Sequence, residues 1–465
     1  MSLVDEAAAA ADDHPPLDDD GLPRRTGTMV TAAAHIITSV IGSGVLSLAW
    51  AVAQLGWIAG SVSLILFSII TLFTSHLLAD CYRSSQTGKR NYSYMDVVNS
   101  NLGGLQIQLC GIAQYSLLFG LTIGYTIVTS TSIQLIKCGN DKECRASNNL
   151  FILIYGVVQI VLSQIPNFHK LAYLSIVAAT MSFAYSFIGI ALSLTKIIQG
   201  NGHFEKSLVG VPVGWKGQTK EDKLWNVFSA LGDIAFAYAF SSILTNIQDT
   251  LKSSPPEKKV MKKATSLAIL VTTVFYLSCG LIGYAAFGSG APGNLLTGFS
   301  SFKPFWIVDI ANISIIIHLV GAYQVICQPI YAFVEGWCIN KWPQNEFITR
   351  EYSINFLGMG NLSINSFRLV WRTVFVIVAT VVAMVLPFFN QFVGLLGAIT
   401  FWPMTVYFPI EMYVAQRKIK RFSGAWNGLQ ILSFFCLIVS LLAAVSSVHG
   451  LVMSVQKYRP FQNVS

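Results

Sequence analysis

Apolar stretches of about 18 residues or more, each long enough to cross a hydrocarbon core as a helix, recur from one end of the chain to the other. No other feature narrows the possible folds so far. In lipid every backbone N–H and C=O has to be satisfied within the protein, which leaves helices or a closed barrel. Runs of this length are helical. Only 11% of the 465 residues are charged, against about 25% in an ordinary soluble chain. The expected fold class is therefore an all-α polytopic membrane protein. Eleven transmembrane helices are expected, at roughly 29–54, 58–80, 109–136, 150–165, 172–197, 225–248, 266–287, 306–334, 369–387, 391–413 and 427–454.

Loop charge sets the expected orientation. With the N-terminus inside, the interior segments hold 18 Lys and Arg and the exterior ones 11, as the positive-inside bias requires. The odd number of spans then places the C-terminus outside. The basic excess is thereby explained without nucleic acid. Residues 1–26 carry seven acidic residues against two arginines and predict a disordered acidic cytoplasmic tail. No basic stretch precedes an apolar core there, so no signal peptide is expected. In "KCGNDKECR", Cys138 and Cys144 flank a polar turn on the expected outer side. An oxidising compartment favours a disulfide between them over two free loop thiols. The other cysteines lie mostly within spans, where a thiol acts as a small apolar residue. There is no H-E-x-x-H, P-loop or G-x-S-x-G signature, so neither an enzyme nor a metal or cofactor site is expected.

The segment "HIITSVIGSGVLSLAWA" puts Gly42-Ser43-Gly44 in the middle of the first span. Three readings compete: close helix packing, a simple kink, or an unwound stretch whose freed backbone groups meet a polar ligand in a protein-lined cavity. Transporters built from inverted repeats use two such broken helices at corresponding positions. If spans 1–5 and 6–10 are the repeats, the partner is span six, "LWNVFSALGDIAFAYAFSSILTNIQDTL". Its break signal is Gly232-Asp233, and an acid within a span is a functional-site candidate by default. The eleventh span lies outside this count. The domains are then the tail 1–26, a first repeat 27–197, an extracellular loop 198–224, a second repeat 225–413, and 414–465 with span eleven and a short extracellular C-terminus.

"HIITSVIGSGVLSLAWAVAQLGW", "GDIAFAYAFSSILTNIQDTLKSSPPE", "HLVGAYQVICQPIYAFVE" and the ending "KYRPFQNVS" resemble the signature segments of plant amino acid permeases in the amino acid/auxin permease family. The likeness covers residues 22–465, with several long segments in order. It implies the leucine-transporter-like fold of the amino acid–polyamine–organocation superfamily and proton-coupled amino acid import. One departure stands out. Relatives carry an "AYSYSLILIEIQ"-type run where this chain has "AYAFSSILTNIQ", so Asn246 replaces an acidic residue.

An amino acid presents a carboxylate and an ammonium. Helix N-termini offer unpaired N–H groups and a positive dipole end, so the N–H groups of Ser43, Gly44 and Val45 are expected to take the carboxylate. Carbonyls freed at Val40 and Ile41 beside Gly42, and those of Ala235, Phe236, Ala237 and Tyr238, are expected to meet the ammonium. Phe236, Tyr238 and Phe240 would line the side-chain pocket, with Thr122 of span three completing the wall. Ordinary helix packing is the alternative for each aromatic and for Phe119 and Tyr125. Proton coupling needs a titratable group, and histidine titrates near physiological pH. His35 and His318 are the first candidates, since the resemblance implies a cation site framed by spans one and eight. Asp233 and Asp309 compete with them, while Asp249 and Glu411 are expected to pair with Arg or Lys near the inner ends.

The expected function is a proton-coupled amino acid symporter of the plasma membrane, working by alternating access. Its partners would be amino acids, protons and the bilayer, and its oligomeric state is left open. An auxin carrier, a vacuolar exporter of amino acids or a non-transporting sensor are the rivals.

Overall fold

The computed structural model describes residue 18 and residues 24–85, 87–139, 147–165, 172–200, 207–356 and 360–457. Nine helical stretches among these are long and apolar enough to cross a membrane, with Met29–Val40 and Asn148–Ser163 as shorter apolar helices. The stretch Ser43–Asp80 is two spans joined at Gly56, whose φ of 83° turns the chain between span one and span two. Eleven spans result among the described residues, with residues 57–80 as span two. Span one is Met29–Val40 followed by Ser43–Ser47 and the helix up to Gly56. Span three is Gly104–Cys138, span four Asn148–Ser163, span five Ala172–Ile198, and span six Lys220–Ala237 with Ser241–Gln248. Span seven is Glu257–Phe287, span eight Phe305–Lys341, span nine Ser366–Val385, and span eleven Gly424–Lys457. Span ten runs from Phe389–Thr400 through a wide π-turn at Phe401–Tyr407 into Phe408–Arg417.

Local chemistry explains several ends. Span four stops just ahead of Pro166, where the residue preceding proline disfavours helical dihedrals. Span one starts at a capping box made by Thr28 and Thr31, and span six at one made by Thr219 and Asp222. Two elements go beyond the sequence expectation. A helix Tyr94–Asn101 lies between spans two and three. Between spans eight and nine, β1 (Glu351–Phe356) and β2 (Gly360–Asn365) pair antiparallel with Glu351 opposite Asn365.

Spans two and seven pack along their length, spans six, ten and eleven form a second sheaf, and span eight lies against spans three and five. Large apolar side chains such as Ile58, Ile69, Ile112, Val161, Phe187, Leu270, Ile431 and Phe434 point away from this core. Their contact with lipid replaces burial in protein.

One end of the bundle is bound by an ion cluster. Arg25 Nε meets Asp18 at 2.6 Å and its Nη2 meets Glu257, the first residue of span seven, at 3.0 Å. Arg83 donates to the same Glu257 carboxylate. Tyr82 donates to Asp249 at 2.5 Å, and Arg90 reaches Asp249 at 3.3 Å. Burial and the Asp249 carboxylate push the Tyr82 hydroxyl well above the usual phenol range, so it remains a donor. Gly27 adds a backbone bridge: its N–H donates to Thr250 O at 2.9 Å, and its carbonyl accepts from Lys252 N at 3.1 Å. The expected pairing of Asp249 with a basic residue is thus present, whereas Glu411 accepts from Gln430 at 2.7 Å instead. Of the expected tail 1–26, Asp18 and Arg25 are nearly buried in this cluster; residues 1–17 and 19–23 lie outside the described residues.

At the opposite end, Cys138 closes span three. Its expected partner Cys144 lies outside the described residues, so that pairing stays a proposal. The six other described cysteines are free and buried.

Gly56 sits under the loop after span five. A Cβ there would stand 2.3 Å from Gly210 N and 2.5 Å from Leu208 O. Gly56→Ala therefore meets both a backbone clash and an unfavourable φ, and is expected to cost about 1–3 kcal/mol or more. A thermal unfolding midpoint in detergent equal to that of the wild type would contradict this.

Candidate functional site

Span one breaks where the sequence says it should. Ile41 and Gly42 leave the helix with extended backbone, and a short turn of 3-10 helix starts at Ser43. Val45 N–H bonds Gly42 O at 3.2 Å, so the structure takes Val45 off the expected carboxylate set. Among the described residues, the N–H groups of Gly42, Ser43 and Gly44 have no backbone acceptor. All three lie at the start of the second half-helix, where its dipole favours an anion.

Span six does not break where expected. Gly232 lies inside a continuous helix that ends at Ala237, and the chain leaves helical geometry at Tyr238–Phe240. Gly232 serves close packing instead: a Cβ on it would be 2.4 Å from Gly394 O, and one on Gly397 would be 2.1 Å from Gly232 O. Small residues let spans six and ten cross almost backbone to backbone. Gly232 serves packing, and Gly42 stands where the helix opens.

The two breaks meet. A Cβ on Gly44 would be 3.1 Å from Phe236 Cδ1 and 3.5 Å from Ala237 Cα, so Gly44 packs directly on span six. Tyr276 of span seven fastens the pair. Its hydroxyl reaches Val40 O at 2.7 Å and Ala237 O at 3.1 Å, so a single phenol serves a carbonyl of each broken span. Tyr238 packs edge-on against Tyr276 at 5.4 Å and bonds Thr273 Oγ1 at 3.2 Å.

Most carbonyls expected for the ammonium are already engaged. Ala235 O and Phe236 O accept from Tyr238 N and Ala239 N, and Tyr238 O accepts from Phe240 N. Val40 O and Ala237 O are held by Tyr276. Ile41 O receives no hydrogen bond among the described residues, which leaves it as the carbonyl best placed for a cationic group. Tyr238 and Phe240 are buried. Thr122 is buried on span three, and its hydroxyl donates to Phe119 O at 2.7 Å. Two residues were missed. Tyr276 stands out only as a lone polar aromatic in "VFYLSCG". Ser241, whose buried hydroxyl has no partner among the described residues, begins the second half of span six.

Of the titratable candidates, His318 is the one brought to the break. Its Nε2 is 3.9 Å from where a Gly42 Cβ would stand. Its Nδ1 is 2.7 Å from Ala178 O of span five; a carbonyl only accepts, so Nδ1 carries a hydrogen. His35 lies on the exposed side of span one, seven residues and about 10 Å of helix rise from Gly42. Asp309 sits just past the first turn of span eight, lining a hollow with Lys137 and Cys138, and is not part of the site. Asp233 is buried in span six between the break and the end opposite the ion cluster.

Tyr276→Phe keeps the ring and removes the clasp; the phenol has a single hydrogen shared between the two carbonyls, so one donor to buried acceptors is lost, at about 1–3 kcal/mol in all. Substrate uptake at equal surface expression is expected to fall at least about tenfold; wild-type uptake would show that the clasp is dispensable. Gly42→Ala meets only His318, whereas Gly44→Ala pushes on span six. Gly42→Ala is expected to reach the membrane with normal thermal stability and weakened substrate binding. A destabilised protein with unchanged affinity would instead assign Gly42 to packing.

Residues 25–453 match the family described as transmembrane amino acid transporter protein. The chain is 57% identical to Amino acid permease 6 of Arabidopsis thaliana over 96% of this chain and 94% of that one. It is 54% identical to Amino acid permease 1 of the same plant over 99% and 96%. Among solved structures it resembles MhsT in complex with L-phenylalanine, with a TM-score of 0.53 at 11% identity over 91% of this chain and 99% of that one; this likeness shows a shared fold. With two broken spans held face to face and family segments matched in order from end to end, the chain belongs to the transmembrane amino acid transporter family, among its plant amino acid permeases.

Proposed function

We propose that this amino acid permease is a proton-coupled symporter that imports amino acids across the plasma membrane by alternating access. The end carrying the ion cluster would face the cytoplasm, as the loop charge favours, and the C-terminus would be extracellular. The repeats would be 27–197 and 225–413, each led by one broken span. The substrate carboxylate would lie on the N–H groups of Gly42, Ser43 and Gly44, and the ammonium on Ile41 O. Phe236, Tyr238 and Phe240 would border the side chain.

The observation that carries the coupling is His318. Its imidazole joins spans five and eight and turns its second nitrogen to the break in span one. A proton on Nε2 adds a positive charge next to the place assigned to the carboxylate. Each ligand then raises the affinity for the other, and by linkage the coupling is reciprocal. Proton and amino acid would therefore load together from the acidic side.

The test is uptake of a labelled amino acid panel in transport-deficient cells at several external pH values. Apparent KM is expected to fall as external pH falls, and a protonophore should collapse accumulation. In His318→Gln the pH dependence of KM should flatten while the protein still reaches the surface. Uptake that follows sodium and ignores pH would overturn the reading, and binding without any uptake would turn it toward a sensor.

A further inference from the structure

Within the sheaf formed by spans six, ten and eleven lies a polar cluster that the substrate site does not use. Asp233 is fully buried, and neither carboxylate oxygen has a well-formed hydrogen bond among the described residues. Asn390 of span ten lies beside it, with both of its own amide atoms unpaired. The hydroxyls of Ser229, one turn earlier in span six, and of Ser447 in span eleven are buried and unpaired as well. Four polar side chains from three spans thus share one buried neighbourhood.

Gly394 of span ten packs directly against Asp233 and Ser447, with no room for a side chain of its own. A Cβ built on Gly394 would stand 2.9 Å from Ser447 Oγ, 3.1 Å from Asp233 Oδ1 and 3.2 Å from Ser229 O. Above the cluster, at the end opposite the ions, is a cavity of about 430 Å³ whose lining includes Ser229, Gln391 and Ser446. These are Ser229 itself and the chain neighbours of Asn390 and Ser447. Buried polar groups with no protein partner are the usual hosts of internal water, which takes two to four such partners.

We propose that spans six, ten and eleven enclose a hydrated acid site, in which Asn390, Ser229 and Ser447 hold water against Asp233 and set how tightly that carboxyl keeps its proton. The proposal rests on the proton-coupled reading and adds to it a second proton-holding locus away from His318, completed by a helix outside the five-plus-five core. An ionised carboxylate in this setting costs several kcal/mol unless donors surround it, and each donor supplied by Asn390 or Ser447 reduces that cost. The titratable and charged groups lining the cavity are His449 of span eleven, stacked on Trp225 at 4.9 Å, with Lys216 and Asp222. Spans two and ten keep Asp80, Glu411 and Arg417 at the far, ion-cluster end. Asn390 and Ser447 are positioning residues here, acting through Asp233.

The experiment uses the full chain in proteoliposomes and reads substrate-evoked current against pH for wild type, Asn390→Ala and Ser447→Ala. Removing a donor disfavours the ionised form, so the pH of half-activation should move upward by about one unit in each variant. Infrared spectra of the same purified proteins give a reading independent of transport. A carboxylic C=O band should vanish in Asp233→Asn and shift in Ser447→Ala. Unmoved pH profiles with an unmoved band would overturn the proposal and leave proton coupling standing. A band that shifts in a protein without any proton current would keep the site and remove the coupled reading instead.

Discussion

The Tyr276 hydroxyl is the contact on which the architecture turns. Breaking two helices inside a bilayer frees backbone carbonyls that no lipid can serve, and each orphan costs several kcal/mol. Here one side chain on an unbroken span takes a carbonyl from each break. The clasp lets the breaks exist, draws them together, and fixes which backbone groups remain open. Once Val40 O and Ala237 O are engaged, the free set reduces to the N–H groups at the start of the second half of span one and Ile41 O. The polarity of the candidate cradle, donors on one side and an acceptor on the other, follows from that selection.

Much of this was legible in the sequence, for identifiable reasons. Length and apolarity fix the spans, because a bilayer admits few alternatives. Gly42 was readable because glycines at mid-depth have little other purpose unless a neighbour packs on them. Gly232 shows where that logic fails: it looks the same, and its purpose is a crossing with Gly394 and Gly397, residues more than 150 positions away. The true break in span six, at Tyr238–Phe240, contains neither glycine nor proline. It is imposed by tertiary contacts from Thr273 and Tyr276, which no local propensity registers. His35 and His318 were equal candidates by composition. Only the turn of each helix separates them, one side chain facing outward and the other buried against the break.

Glycine also accounts for how the outer sheaf sits. At Gly394 and Gly397 the backbones of spans six and ten approach so closely that a methyl group on either would collide. Gly394 also packs directly against Asp233 and Ser447. The same residue type thus performs three tasks in this chain: opening a helix at 42, turning a corner at 56, and thinning an interface at 394. Sequence alone does not separate them, because what differs is the neighbour.

The strap made by residues 24–28 has a mechanical consequence. Gly27, two residues ahead of span one, is stitched by two backbone hydrogen bonds to the segment that follows span six. Arg25 ties the same strap to the first residue of span seven. The broken helices are therefore joined twice, by the phenol at mid-depth and by the strap at one end. A body pinned to its neighbour at two separated points loses the freedom to pivot alone. Met29–Val40 is thus tied at its start to the segment that follows Ser241–Gln248, and at its end, through the phenol, to Ala237, the last residue of the other half of span six. The stiffness of that end of the molecule thus resides in a few exchangeable contacts at the chain's start, and not in the bulk of the bundle.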